Sequence, residues 1–148
     1  MNTEKAVKFE GKHADLTEKV LEAFFEVYGE LGYGFTEKVY RNALAIVLRD
    51  KGLKTETEKE IQVLFRGAVI GEYRVDLLVE DKIIIELKAA AALAVEHEAQ
   101  LLNYLKATPI EVGLLLNFGP KPSSKRRVFD NTRKKPAARS NWHPPSKP

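Results

Sequence analysis

The chain has 148 residues, 44% apolar and 30% charged, which suits one domain with its own core. It has no cysteine, which excludes disulfides, thiolate zinc sites and a cysteine nucleophile and fits a reducing compartment. The net charge of +3 conceals a split: residues 121–148 hold nine Lys/Arg against Asp130 alone, leaving 15 basic and 20 acidic residues in the first 120, so the body is not that of a strongly basic nucleic-acid binder. No apolar run approaches the ~18 residues of a membrane span. The first residues, "MNTEKAVKFEGKHADL", lack the apolar core of a secretion signal. The expectation is a cytoplasmic protein with no membrane partner.

Residues 1–14 read as an irregular arm. Leu16, Val20, Phe24, Val27, Tyr28 and Leu31 then recur at helical spacing, with Asp15 or Thr17 as N-cap. The glycines of "YGELGYGF" end that helix. A second runs from near Thr36 to about Lys51, with Val39, Tyr40, Ala43, Leu44, Val47 and Leu48 on its apolar face and Gly52 as its cap. "EIQVLFR" (60–66) alternates as a strand does, Arg66-Gly67 begins a turn, and strands follow at about 71–79 and 83–88. Residues 93–107 read as a helix stopped by Pro109, with His97 a solvated residue on it. Residues 112–118 read as a buried strand parallel to its partner. The order is ααβββαβ, an α/β arrangement with four strands. Beyond Gly119 the Pro-, Lys- and Ser-rich chain has too few apolar residues to fold alone, though Val128 and Phe129 can dock on the core. Residues 130–148 read as a basic, proline-rich flexible tail in which Trp142 is exposed or loosely packed.

The chemistry concentrates in "YRVDLLVEDKIIIELKA", Tyr73 to Ala89. A three-residue loop, Glu80-Asp81-Lys82, pairs the apolar residues 75/87, 77/85 and 79/83, and sets Asp76 opposite Glu86 and Arg74 opposite Lys88. Directly opposed residues share a face with Cβ atoms roughly 4.5–5.5 Å apart. Two carboxylates so placed repel, and a proton, a basic neighbour or a metal must meet their charge. Oxygen ligands alone favour a hard cation such as Mg²⁺ or Mn²⁺. From the hairpin alone a structural salt-bridge cluster of Asp76, Glu86, Lys88 and Arg74 stands level with a metal site. Two further pairs bear on this choice. Glu37 and Tyr40 lie one turn apart at a helix start after Gly34, and Gln100 and Tyr104 stand four apart on another helix. A first-turn acid that complements the helix dipole explains Glu37 equally well.

Gly34-x-x-Glu37-x-x-Tyr40 resembles the signature of the GxxExxY proteins, a branch of the PD-(D/E)XK nuclease-like superfamily. Asp76 followed by Glu86-Leu87-Lys88 resembles that superfamily's D…(D/E)-x-K core. Gln100-x-x-x-Tyr104 is similar to its Q-x-x-x-Y element, and "LLLNFG" with Lys125-Arg126-Arg127 to its closing segment. Val75 stands where the superfamily's name has proline. The resemblance spans about residues 15–129. It implies a restriction-endonuclease-like core, a central mixed four-stranded sheet flanked by helices. It implies metal-dependent hydrolysis of phosphodiester bonds, with DNA the expected partner and Mg²⁺ or Mn²⁺ the cofactor. Asp76, Glu86 and the Leu87 backbone carbonyl would hold the metal, with Glu37 a further ligand. Lys88 would serve the attacking water, and Gln100 would orient the site. Gly34, Tyr40 and Tyr104 would support it, with Arg66 and Arg74 contacting phosphates. The alternative is a non-hydrolytic nucleic-acid-binding or accessory module on the same fold. Either reading leaves room for a homodimer or a protein partner. A histidine zinc pair is absent around His97, and the glycines at 29, 32 and 34 lack the preceding strand of a phosphate loop.

Overall fold

The computed structural model describes residues 11–134. Two helices come first, α1 (Ala14–Leu31) and α2 (Glu37–Asp50). Strands β1 (Thr55–Phe65), β2 (Ala68–Val79) and β3 (Ile83–Lys88) follow, then α3 (Val95–Ala107), β4 (Val112–Phe118) and β5 (Pro122–Val128). The strands form one mixed sheet in the order β1-β2-β3-β4-β5. β3 and β4 are parallel, as the intervening helix requires, and the other neighbours are antiparallel.

β5 corrects the four-strand expectation. Its sequence, Pro-Ser-Ser-Lys-Arg-Arg-Val, shows no apolar alternation. It is an edge strand, held by its ladder to β4 and needing no apolar face, and charged side chains on an edge discourage further pairing. The chain also stays packed past residue 129. Asn131–Arg133 form a short 3₁₀ turn, and the buried Lys134 ammonium donates to the carbonyls of Thr108 and Ile110, both at 2.7 Å. The expected arm over residues 1–10, the tail from residue 135 and Trp142 lie outside the described residues.

Two apolar layers sandwich the sheet. On one side Val20, Phe24 and Val27 of α1 and Tyr40, Leu44 and Leu48 of α2 pack on Leu77, Val79, Ile83, Ile85 and Leu87. On the other side Leu101, Tyr104 and Leu105 of α3 pack on Ile61, Val75, Leu78 and Ile84. Each fully buried aliphatic side chain contributes about 1.5–3 kcal/mol, so these two faces dominate the fold's stability. The Phe118 ring anchors the first layer, edge-on to Phe24 at 4.8 Å and stacked on Tyr40 at 4.2 Å.

Helix ends follow local chemistry. Gly52, at φ 81°, closes α2: its N–H donates to the Arg49 carbonyl, and the Leu53 N–H donates to Leu48. α1 starts before the expected caps. His13 precedes it, and the buried Thr17 hydroxyl donates back to the His13 carbonyl at 2.9 Å. His97 is not merely solvated, since its Nδ1 accepts the Ala94 N–H at 3.0 Å and closes the start of α3.

The β2–β3 loop is Glu80-Asp81-Lys82, with Val79 paired to Ile83, Leu78 to Ile84 and Leu77 to Ile85, the expected register. The expected alternation of β2 fails one step further on. Leu77 and Val79 pack with α1 and α2, but Val75 packs with α3. Thr57 pairs with Leu77 and Lys59 with Val75, which leaves Glu58 across from Asp76, and Glu58 has a φ of 52°. A non-glycine residue in the left-handed region rotates the strand as a bulge does, so the hairpin changes face at Asp76.

Beyond β3, Asn117 and Gly119 hold the chain that leaves Lys88. The buried Asn117 amide accepts the Ala90 N–H at 2.9 Å and donates to the Ala90 carbonyl at 3.0 Å. A Cβ on Gly119 would lie 2.1 Å from that carbonyl oxygen. Gly119→Ala is therefore expected to destabilise the protein by about 1–3 kcal/mol or more, read from the denaturant midpoint. An unchanged midpoint would show that Ala90 moves freely.

Candidate functional site

The site forms where β2 and β3 part company. Regular pairing ends at Leu77 and Ile85, and the two carboxylates take over the cross-strand bonding. Glu86 Oε2 accepts the Asp76 N–H at 2.7 Å, and Asp76 Oδ2 accepts the Leu87 N–H at 2.8 Å. The acids thus converge. Each is oriented through one oxygen, and Asp76 Oδ1 and Glu86 Oε1 accept no hydrogen bond from any described residue. Neither is among the sealed-off unpartnered polar atoms of the described residues.

No ion pair within 4 Å joins Asp76 or Glu86 to a cation among the described residues. Arg74, expected beside them, is exposed and pairs with Glu60 across β1 at 3.3 Å. The change of face at Asp76 is the reason, because it turns Arg74 away from the carboxylates. The four-residue salt-bridge cluster is thereby disposed of. A proton meets part of that charge instead. Burial first, and then the facing Asp76 charge, push the Glu86 carboxyl up to about 8. Asp76 is raised as well, mainly by burial, with the Leu87 N–H opposing and the Glu37 charge adding.

Glu37 opens α2, exposed, at the position that the helix dipole also favours. Its charge reaches both acids. The described residues hold no group of three or more Asp, Glu or His side chains already gathered as a metal site. Lys88, at the end of β3, lowers both acids' affinity for protons and forms no ion pair with a described residue. Tyr104 lies under the pair with its ring 5.8 Å from Tyr73, and burial together with the Glu86 charge pushes its phenol up, keeping it neutral. Gln100, one turn before Tyr104, is exposed and bonds to no described residue. Arg66 sits far off at the tip of the β1–β2 hairpin, in a turn where it has φ 51° and Gly67 has φ 82°.

Gly34 and Tyr40 prepare the approach to Glu37. Gly34 has a φ of 118°, which side chains rarely adopt. The buried Tyr40 hydroxyl donates to the Gly32 carbonyl at 2.6 Å and accepts the Phe35 N–H at 3.3 Å, tying the loop to the helix that carries Glu37. Tyr40→Phe is expected to cost about 1–2 kcal/mol through the two orphaned backbone groups, measured by urea unfolding. An equal midpoint in the variant would leave the loop pinned by packing alone.

Two residues went unnoticed in the sequence. Arg41, four after Glu37 and so on the same helix face, also lowers the Asp76 pKa, which places a second cation near the acids. Its side chain is 12% exposed, bridges to Glu58 at 3.2 Å and keeps a buried Nε without a partner among the described residues. Its spacing from Glu37 was a signal that could have been read. Glu58 carried none, because its place opposite Asp76 depends on the β1–β2 register.

A mixed sheet between helices, with two converging acids and a lysine at the end of its central hairpin, defines the nuclease-like α/β class. Comparison with known proteins agrees. The family model of the PD-(D/E)XK nuclease superfamily matches residues 14–128, and the chain belongs to that superfamily. The structure titled "Crystal structure of SSO0001" is similar at a TM-score of 0.53 and 19% identity, covering 82% of this chain and 80% of that one, a likeness of fold. No curated protein matched the sequence. Among the described residues no helix is long and apolar enough to cross a membrane.

Proposed function

We propose that this protein is a divalent-metal-dependent nuclease of the GxxExxY branch that hydrolyses phosphodiester bonds of DNA in the cytoplasm. The observation that carries the reading is the acid pair. Two adjacent carboxylates are oriented by backbone N–H groups and, among the described residues, each has one oxygen that accepts no hydrogen bond and neither has an ion-paired cation. That donor set fits a hard cation. Asp76, Glu86 and the Leu87 carbonyl would hold Mg²⁺ or Mn²⁺, whose chemistry when bound is Lewis acidity toward phosphate and acidification of a water. Lys88 orients the attacking water and steadies charge developing on the phosphate. Arg41 adds a fixed positive charge beside Asp76, and Glu37 accepts bonds from water at the mouth of the site. Tyr104 walls Glu86 with a neutral phenol. Arg66 and Arg74, apart from the acids, contact phosphates further along the DNA. A homodimer or a protein partner would widen that grip.

The test is a panel of labelled single- and double-stranded substrates with and without divalent metal, beside Glu86→Ala and Lys88→Ala. Metal-dependent cleavage lost in both variants is the expected result. The exposure of Gln100 and the lack, among the described residues, of a third gathered acid favour a second reading, a non-hydrolytic nucleic-acid-binding module. Metal-dependent binding without cleavage of any substrate selects that one.

A further inference from the structure

Between the first turn of α2 and the end of β3 lies a slot of about 320 Å³, walled by residues 33–35, 89–91 and 118–120. Its lining is apolar or aromatic, with no Lys, Arg, His, Asp or Glu. Tyr33 and Phe35 stand at it 62% and 48% exposed, large rings that a folded chain would otherwise cover. We propose that this slot holds the unstacked base of the nucleotide next to the phosphate at Lys88, with Tyr33 and Phe35 as the stacking platform. The inference rests on the nuclease reading above and extends it to the state of the substrate, a strand whose bases are free.

Three observations support a base as the occupant. The slot's walls adjoin the candidate site along the chain at two points: Phe35 lies two residues before Glu37, and Ala89 directly follows Lys88. Two residues span at most about 7 Å, so Ala90 lies within a nucleotide's reach of the lysine. The walls are also fixed in advance. Tyr40 pins the loop carrying Tyr33 and Phe35, Asn117 clamps Ala90, and the Tyr28 hydroxyl donates to the Gly119 carbonyl at 2.7 Å. Finally, an apolar slot without charged lining, next along the chain to a cationic and acidic centre, matches a nucleotide's division into ring and phosphate. Aromatic platforms of this kind bind any base, because each presents a π-face.

The test is fluorescence anisotropy with the full chain and labelled oligothymidylate or oligouridylate about 12 nucleotides long, in Ca²⁺. A duplex of equal length and an abasic single strand serve as controls. Tyr33→Ala is expected to weaken single-strand binding roughly 5- to 150-fold while duplex binding stays unchanged, and Tyr33→Phe restores it. Phe35→Ala is expected to act likewise, but Phe35 also lies edge-on to Tyr40, so the more exposed Tyr33 is the decisive position. Oligodeoxyuridylate, which differs from oligouridylate in the 2′-hydroxyl alone, identifies the sugar by which of the two binds more tightly. Wild-type affinity in Tyr33→Ala, an abasic strand bound as tightly as oligothymidylate, or no binding of either single strand overturns the proposal. Failure here differs from failure of the nuclease reading. Undiminished cleavage by Tyr33→Ala with an unchanged KM removes the slot and keeps the nuclease. Tyr33-dependent binding beside an uncleaved panel keeps the slot and removes hydrolysis.

Discussion

Lys88→Ala is expected to lower metal-dependent cleavage by roughly 10²- to 10³-fold or more, the loss typical of one group aimed at developing charge, while the thermal midpoint scarcely moves. The second half of this expectation follows from the contacts. Lys88 ends β3, is half-buried, forms no ion pair with a described residue, and lies outside both apolar layers. Its charge does ease ionisation of Asp76 and Glu86, so some loss of metal affinity accompanies the loss of rate. Raising the metal concentration separates the two effects. Recovery of full cleavage at high Mg²⁺ would assign Lys88 to metal affinity alone, and cleavage equal to wild type at every concentration would remove it from the mechanism.

Glu86→Gln is expected to stabilise the metal-free protein at pH 8 and to abolish its response to metal. The folded Glu86 carboxyl holds its proton up to about 8, well above its ordinary range. The folded state therefore binds more protons than the unfolded chain between about pH 4.5 and 8. Stability from this source is fully present below the unfolded pKa and is lost as pH rises through 8. The raised Asp76 pKa acts in the same direction. The thermal midpoint of the metal-free wild type should thus fall between pH 6 and pH 8.5, by on the order of 3 kcal/mol in free energy. Mg²⁺ or Mn²⁺ must displace the same proton, so its stabilising shift should grow over that interval. Glu86→Gln keeps the shape, removes the charge and should flatten both slopes. A wild-type midpoint that is level across this range, with a metal shift equally large at pH 6, would contradict the burial argument.

The helices, the central strands and the Glu80-Asp81-Lys82 loop were legible along the chain, because the local periods of 3.6 and 2 and the glycine at 52 act within a few residues. So were Asp76, Glu86 and Lys88 as a group, since a hairpin register links positions ten apart by counting. The same counting misplaced Arg74. The face change at Asp76 coincides with the left-handed Glu58 on a neighbouring strand, and no period within β2 records it. β5 escaped notice for a related reason: an edge strand of Ser, Lys and Arg is held by a ladder to β4 rather than by its own apolar face. Arg41, Glu58 and the aromatic slot likewise exist only once α2, β1 and the chain beyond Lys88 are brought together. Local order follows from interactions between near neighbours. The charge balance of the site depends on which distant side chains the packed sheet leaves facing one another, and that is a property of the whole fold.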